Sequence, residues 1–134
     1  MSAVMPALEL ADDRNADYAQ LRAHALTLVA DNAWNEGVVL GEPLRDWRSV
    51  DLAALRGVAL IDGAPLGEGT GRDVMGHPLE ALAWLANHLA ARGLSLWRSD
   101  VVITGSLIRT HFARPGERIR FEAGPLGAVA LSVE

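Results

Sequence analysis

The stretch that decides the fold opens with Gly67-Glu-Gly-Thr-Gly-Arg-Asp-Val-Met-Gly-His-Pro78 and closes with Asp100-Val-Val-Ile-Thr-Gly105. Between these two ends, leucines and alanines recur at helical spacing over residues 79–89, which predicts one long amphipathic helix. Pro78 suits the first helical position, and Gly93 suits the left-handed residue that ends a helix. We interpret the glycines before the helix as a loop and residues 101–104 as a short strand. The glycine-bordered turns on either side of the helix predict a ligand-binding cradle.

Composition limits the class of protein. The chain has 134 residues, half of them hydrophobic, which predicts a single domain over residues 1–134 with a packed core. The net charge is −5 and all 12 basic residues are arginine, so the chain offers no lysine chemistry and is unsuited to non-specific nucleic-acid binding. There is no cysteine, and no apolar run reaches the ~20 residues that span a bilayer. We expect a cytoplasmic protein that binds neither nucleic acid nor membrane.

The rest of the chain predicts a sheet of short strands. Asp62-Gly63 is a favoured two-residue hairpin turn between apolar runs. Residues 17–30 fit a helix, although their second half would also fit a strand, and residues 42–54 are interpreted as a surface connection. Strands are predicted at residues 3–10, 37–41, 58–61, 64–66, 118–123 and 129–133. A dominant, mainly antiparallel sheet with one strong helix is an α+β fold.

A few residues could carry chemistry, and most have a simpler explanation. The Gly67-x-Gly69-x-Gly71 pattern does not fit a dinucleotide-binding turn, because several residues separate it from the helix. His77 and Glu80 could share a metal ion, but His77 is better explained as a helix cap. Ser106 lacks the surroundings of a nucleophile elbow. Glu9 stands between two leucines, where a buried carboxylate without a partner would be costly.

The remaining histidines and the late arginines are predicted to be structural. His24, His88 and His111 have no metal-ligand spacing, and we interpret them as surface or packing residues. The arginines at 109, 114, 118 and 120 are interpreted as the solvated face of strands rather than as a basic binding patch.

Short motifs follow one another along the chain: Met5-Pro-Ala-Leu-Glu-Leu10, Val29-Ala-Asp-Asn-Ala33, Met75-Gly-His-Pro-Leu79, Ala83-Trp-Leu-Ala86, Asp100-Val-Val-Ile-Thr-Gly105, Pro115-Gly-Glu-Arg118 and Gly124-x-x-Gly127. In this order they resemble the C-terminal half of the 2-keto-4-pentenoate hydratase and 4-oxalocrotonate decarboxylase family, a branch of the fumarylacetoacetate hydrolase superfamily. The resemblance covers nearly the whole chain. It implies a mixed, mainly antiparallel β-roll with one long helix.

The resemblance also implies a metal-dependent lyase. The family holds Mg²⁺, or alternatively Mn²⁺, through three carboxylates, and Glu9 falls where the third is found, as a metal ligand and catalytic residue. The substrates implied are small 2-oxo or 2-hydroxydienoic acids of aromatic degradation, which are hydrated or decarboxylated through a metal-stabilised enolate. The substrate-binding residues implied are Asn32, Gly71, Thr104, Gly105 and Ser106.

The chain departs from that family in ways that affect the chemistry. Family members are longer, and their first two metal carboxylates and a functional lysine precede the part that this chain matches. Trp34 replaces a residue that is commonly serine. We therefore expect metal binding only if a partner polypeptide equivalent to the N-terminal half, or solvent, supplies the missing ligands, and we expect a homo- or hetero-oligomer. The alternative is a non-catalytic domain that kept the fold for ligand binding or oligomerisation and lost the metal site.

Overall fold

A computed structural model describes all 134 residues and contains two antiparallel sheets. The smaller sheet pairs β1 (Ala7–Ala11) with β2 (Asn35–Leu40). The larger has the strand order β4-β3-β5-β6 and is made of β3 (Arg56–Ile61), β4 (Ala64–Thr70), β5 (Arg118–Glu122) and β6 (Ala128–Ser132). The helices are α1 (Ala25–Ala30) and α2 (Pro78–Ala90). The predicted α+β fold, with antiparallel sheets and one long helix, is confirmed.

Local signals in the sequence specified the hairpin and the long helix correctly. Asp62 and Gly63 join β3 to β4 with φ of 51° and 83°, the left-handed values that a tight hairpin turn requires. The imidazole Nδ1 of His77 accepts a hydrogen bond from the Leu79 N–H at 3.0 Å, which confirms the helix cap and occupies that nitrogen. Gly93 follows α2 with φ 70°. Neither helix combines the length and the apolar character that crossing a membrane would demand.

The glycine loop predicted before α2 is wrong at Gly67 and Gly69, because β4 continues to Thr70, whereas Gly71 and Gly76 do lie in the connection between β4 and α2. Gly67 and Gly69 are strand residues that allow another part of the chain to cross the sheet. A β-carbon at Gly69 would overlap the Leu107 carbonyl oxygen, and one at Gly57 would lie 2.8 Å from the Leu107 side chain. The side chain of Ile108 would be 3.2 Å from a β-carbon at Gly67. These glycines therefore accommodate residues 107–108 of the same chain rather than a ligand.

Three other predictions are wrong wholly or in part. Residues 17–30 contain only a 3₁₀ turn at Tyr18–Gln20 and the short α1, instead of one helix. The connection over residues 42–54 is not all surface, because Leu52 is only 4% exposed. The strand predicted at residues 101–104 has no β-sheet partner, so its backbone forms no ladder. Strand-forming residue types alone do not make a strand when no neighbouring chain supplies hydrogen bonds.

The core is small for a chain of this composition. Only 9 of 134 residues are buried, and large hydrophobic side chains such as Trp97 and Phe112 are 77% and 64% exposed. The accessible surface is 9435 Å². A self-contained protein of 14.3 kDa exposes about 6,800 Å², so this chain exposes about 2,600 Å² more. An excess of that size means that much apolar surface is left uncovered within these 134 residues.

Candidate functional site

A wide cleft of about 1210 Å³ is the main concave feature of the molecule. Most of its lining residues are hydrophobic, and they come from the N-terminal segment including β1, from residues 47–55, from α2, from the larger sheet and from the segment that follows α2. The helix contributes Leu79, Leu82 and Ala86, and the sheet contributes Ile119 and Phe121. A pocket for a small molecule usually encloses about 300–1,000 Å³ and covers most of its ligand. This cleft is larger than that, so it would leave a small bound acid partly exposed to solvent.

The cleft brings together five of the six predicted site residues. Glu9 from β1 lines it, as do Gly71 and the consecutive residues Thr104, Gly105 and Ser106. These residues are far apart in the sequence, and their arrangement on one cavity follows from the fold. The sixth, Asn32, does not line the cleft; it is an exposed residue with φ 51°.

Glu9 lies at the rim of the cleft and is exposed rather than buried. The reason is that β1 pairs only with β2, where Glu9 is opposite Val38, so no second layer covers it. One carboxylate oxygen, Oε1, accepts a hydrogen bond from the side-chain amide of Asn35 at 3.2 Å. The other oxygen takes no hydrogen bond within the chain. Glu9 is therefore oriented on one side and free to bind a cation or a partner on the other.

The two glycines of the predicted site differ in what they do. Gly71 is buried, and a β-carbon there would overlap the Leu52 carbonyl, so its role is to let two backbone segments touch. Gly105 is exposed with φ 137°, a conformation that side chains rarely adopt. The Ser106 hydroxyl donates to the Ile108 carbonyl at 2.6 Å, so its proton is already engaged within the chain. The backbone N–H groups of Gly105 and Ser106 remain the available donors at this point of the cleft.

A histidine–carboxylate pair at the cleft was missed by sequence reasoning. His111 lines the cleft, and its Nε2 is 2.8 Å from Oε2 of Glu117. The same oxygen accepts the backbone N–H of Arg114 at 3.0 Å. The hydrogen bond from His111, and after it the one from the Arg114 N–H, lower the pKa of Glu117 below its ordinary 4.5. The signal in the sequence was the Pro115-Gly116 turn, which folds residue 117 back toward residue 111.

The lowered pKa of Glu117 predicts an acid-side loss of stability. Because the folded value lies below the unfolded value, the stabilisation is present above the unfolded pKa and is lost as pH falls through the folded pKa. In a carboxyl-carbon NMR titration we expect Glu117 to titrate below pH 4.5 and His111→Ala to raise its pKa toward 4.5. His88→Ala is the matched control, since His88 stacks on Trp84 and does not touch Glu117. An unchanged Glu117 titration in His111→Ala would contradict the assigned bond.

The cleft also carries positive charge in an acidic chain. Arg48, Arg98 and Arg109 line it, and none of them forms an ion pair within the chain. The acidic residues in the lining are Glu9 and Asp100. The four late arginines are all exposed as predicted, but Arg109 and Arg114 lie outside any strand, whereas Arg118 and Arg120 lie on β5. A cleft of this charge attracts small anionic ligands.

Comparison with known proteins agrees with this geometry. The family model described as fumarylacetoacetate (FAA) hydrolase C-terminal matches residues 2–134. The chain belongs to this family. It is 36% identical over 128 residues to the 2-hydroxyhexa-2,4-dienoate hydratase of Comamonas testosteroni, covering 96% of this chain and 47% of that protein. It is 32% identical to a 4-oxalocrotonate decarboxylase of Pseudomonas putida, with 95% and 47% covered.

Solved structures of the fumarylacetoacetate hydrolase family give the same result. The 4-oxalocrotonate decarboxylase of Pseudomonas putida G7, complexed with magnesium and adipate, superimposes with a TM-score of 0.86 at 30% identity. The same enzyme complexed with calcium and acetate gives 0.85 at 31% identity. Each comparison covers 99% of this chain and 49% of the chain of that enzyme. The chain thus spans about half the length of the relatives it matches, and the resemblance found in its motifs is confirmed.

The metal site that the fumarylacetoacetate hydrolase family implies is not complete in this chain. No group of three His, Cys, Asp or Glu side chains lies close enough to hold an ion. Glu9 offers one free carboxylate oxygen and an amide neighbour. Magnesium favours about six oxygen ligands, several of them water, and is held by carboxylates. The residues present in this chain do not by themselves fit a tightly bound divalent metal.

Proposed function

We propose that the chain is a hydratase- or decarboxylase-like lyase domain for small 2-oxo or 2-hydroxydienoic acids, active when a second polypeptide completes its cleft. The observation that carries this proposal is that Glu9, Thr104, Gly105 and Ser106 all line one arginine-bearing cleft. The named relatives that match this chain are hydratases and decarboxylases of such acids. We also propose that residues 1–134 form a single domain and that the protein acts in the cytoplasm.

This chain's own residues would bind and orient the acid. The unpaired arginines attract its carboxylate, and the free N–H groups of Gly105 and Ser106 donate to an oxygen of the bound acid. Glu9 lines the cleft, and its second carboxylate oxygen is free because Asn35 donates only to the first. A divalent ion, once the missing ligands were supplied, would act as a Lewis acid on the 2-oxo acid.

A second polypeptide is part of this proposal for physical reasons. The cleft is wider than a small acid needs, so water would reach the bound molecule. The excess exposed surface of about 2,600 Å² is in the range of permanent complexes. Relatives that this chain matches are about twice its length. A polypeptide equivalent to their other half would have both the size to cover the cleft and a source of further carboxylates.

Turnover of 2-hydroxypenta-2,4-dienoate tests the proposal directly. We expect its ultraviolet absorbance to fall only when this chain is mixed with Mg²⁺ and the N-terminal half of the Comamonas testosteroni hydratase. Each component alone, and the full mixture with a chelator, are the controls. Absence of turnover in every mixture would contradict the lyase proposal.

The incomplete metal site favours one alternative, a domain that binds a small acid without catalysis. Calorimetry with oxalate separates the two. Affinity that depends on Mg²⁺ in the assembled pair supports the lyase, and affinity that a chelator leaves unchanged supports plain binding through the cleft arginines.

A further inference from the structure

The longest stretch of unpaired backbone in the molecule follows α2. The chain forms 63 backbone–backbone hydrogen bonds, and none involves residues 101–113. The last bond before this stretch joins the Asp100 N–H to the Trp97 carbonyl, and the next after it donates from Gly116. The N–H and C=O groups of Ile108 bond to the Ser106 hydroxyl, and the other backbone groups of this stretch are open to water or to another strand.

The first four residues of this stretch have the character of a strand. Residues 101–104 are Val-Val-Ile-Thr, which are β-branched residues that favour extended structure. All four line the cleft, and exposure alternates along them: Val101 and Ile103 are 57% and 38% exposed, whereas Val102 and Thr104 are half-buried. Period-two alternation with unpaired backbone is the pattern of an extended segment that can pair with another strand.

The neighbouring residues fix this strand at the mouth of the cleft. Leu107 packs against the positions of Gly57 and Gly69, where side chains would clash, so the chain crosses the large sheet at that point. Val74 lies against Gly105, with its Cγ1 3.2 Å from the position of a β-carbon there. Residues 101–104 therefore lead directly into the predicted substrate-binding residues.

We propose that residues 101–104 pair with a β-strand of the second polypeptide, so that the two segments form a new β-ladder through their main-chain hydrogen bonds. This inference rests on the proposed function and locates the contact that it requires. The partner strand would present apolar residues to Val101 and Ile103, since these side chains are exposed on the chain alone. Pairing here would hold Thr104, Gly105 and Ser106 in place while the partner covers the cleft.

The occupant is a non-identical polypeptide rather than a second copy. Two copies paired through four residues each would cover little of the excess surface of about 2,600 Å². The portion of the relatives that this chain does not match, about half of their length, is large enough to cover this area.

Hydrogen exchange tests the pairing, with the N-terminal half of the Comamonas testosteroni hydratase as the probe. We expect fast exchange at residues 101–104 in the chain alone and slow exchange in the mixture, with β3 and β5 unchanged. Ile103→Pro removes one backbone N–H and should weaken binding at least about tenfold. Ile103→Val keeps that N–H and is the matched control. Unchanged exchange at β3 and β5 in Ile103→Pro shows that the variant is folded.

The outcomes separate this inference from the lyase proposal. Protection at residues 101–104 without turnover supports the pairing and contradicts the lyase. Turnover with these residues still exchanging fast, or equal binding by Ile103→Pro and Ile103→Val, overturns the pairing. Absence of any complex overturns both, as does a complex that is only a dimer of this chain.

Discussion

Gly71→Ala is expected to destabilise the chain by about 3 kcal/mol or more, at the upper end of overpacking effects. The added β-carbon would overlap the carbonyl group of Leu52, which is itself buried. Neither backbone segment can move away easily, because the Gly71 N–H donates to Leu55 at 2.9 Å and the Arg72 N–H donates to Ala53 at 2.8 Å. Urea unfolding followed by circular dichroism measures the loss.

Gly37→Ala is the matched control for Gly71→Ala. Gly37 lies in β2, and a β-carbon there would have no atom within 4 Å. We expect that variant to unfold within about 0.5 kcal/mol of the unaltered chain. Equal stability of the two variants would contradict the packing role of Gly71. It would leave direct contact with a substrate as the explanation for a glycine at that position.

Signals confined to neighbouring residues predicted the elements that need no distant partner. Pro78, His77 and Gly93 mark the two ends of α2, and each acts through residues within one turn. The Asp62-Gly63 turn likewise determines the hairpin without help from the rest of the chain. Predictions of this kind depend on backbone conformation alone, which the residue types strongly bias.

Predictions that depend on distant contacts were less accurate. Gly67 and Gly69 look like a flexible loop in the sequence, and only the crossing of residues 107–108 explains why they lie in a strand. Residues 101–104 have strand-forming side chains but no sheet partner within the chain. The pairing of His111 with Glu117 depends on the turn between them. The sequence indicates that turn, but it does not show that the turn brings these two side chains within hydrogen-bond distance.

The candidate site was predicted mainly through the family resemblance. Residue types alone marked Glu9 as unusual, and the motifs added Gly71, Thr104, Gly105 and Ser106, all of which line the cleft. Asn32 came from the same motifs and lies elsewhere, after α1 in a run of three residues with left-handed φ. A motif gives the order of residues along the chain, and only the fold shows which of them line the same cleft.

Glu9→Gln is expected to reduce Mg²⁺-dependent turnover of the assembled pair by at least about 100-fold. Replacing groups that only support a metal ligand already costs about 10–100-fold, and Glu9 is proposed as a ligand itself. The glutamine keeps the shape and can still accept the Asn35 hydrogen bond, so only the charge at the free oxygen is lost. Since Glu9 is exposed, stability should change by less than about 0.5 kcal/mol.

Glu36→Gln separates the ligand role of Glu9 from a general effect of charge. Glu36 is an exposed acid on β2, next to Asn35, and it does not line the cleft. Both variants remove one negative charge from the same small sheet, so an effect of the overall field would appear in both. A metal ligand predicts that only Glu9→Gln raises the Mg²⁺ concentration needed for half-maximal turnover. Equal Mg²⁺ dependence in the two variants would show that Glu9 does not bind the ion, and the free oxygen would then be available only to the partner polypeptide.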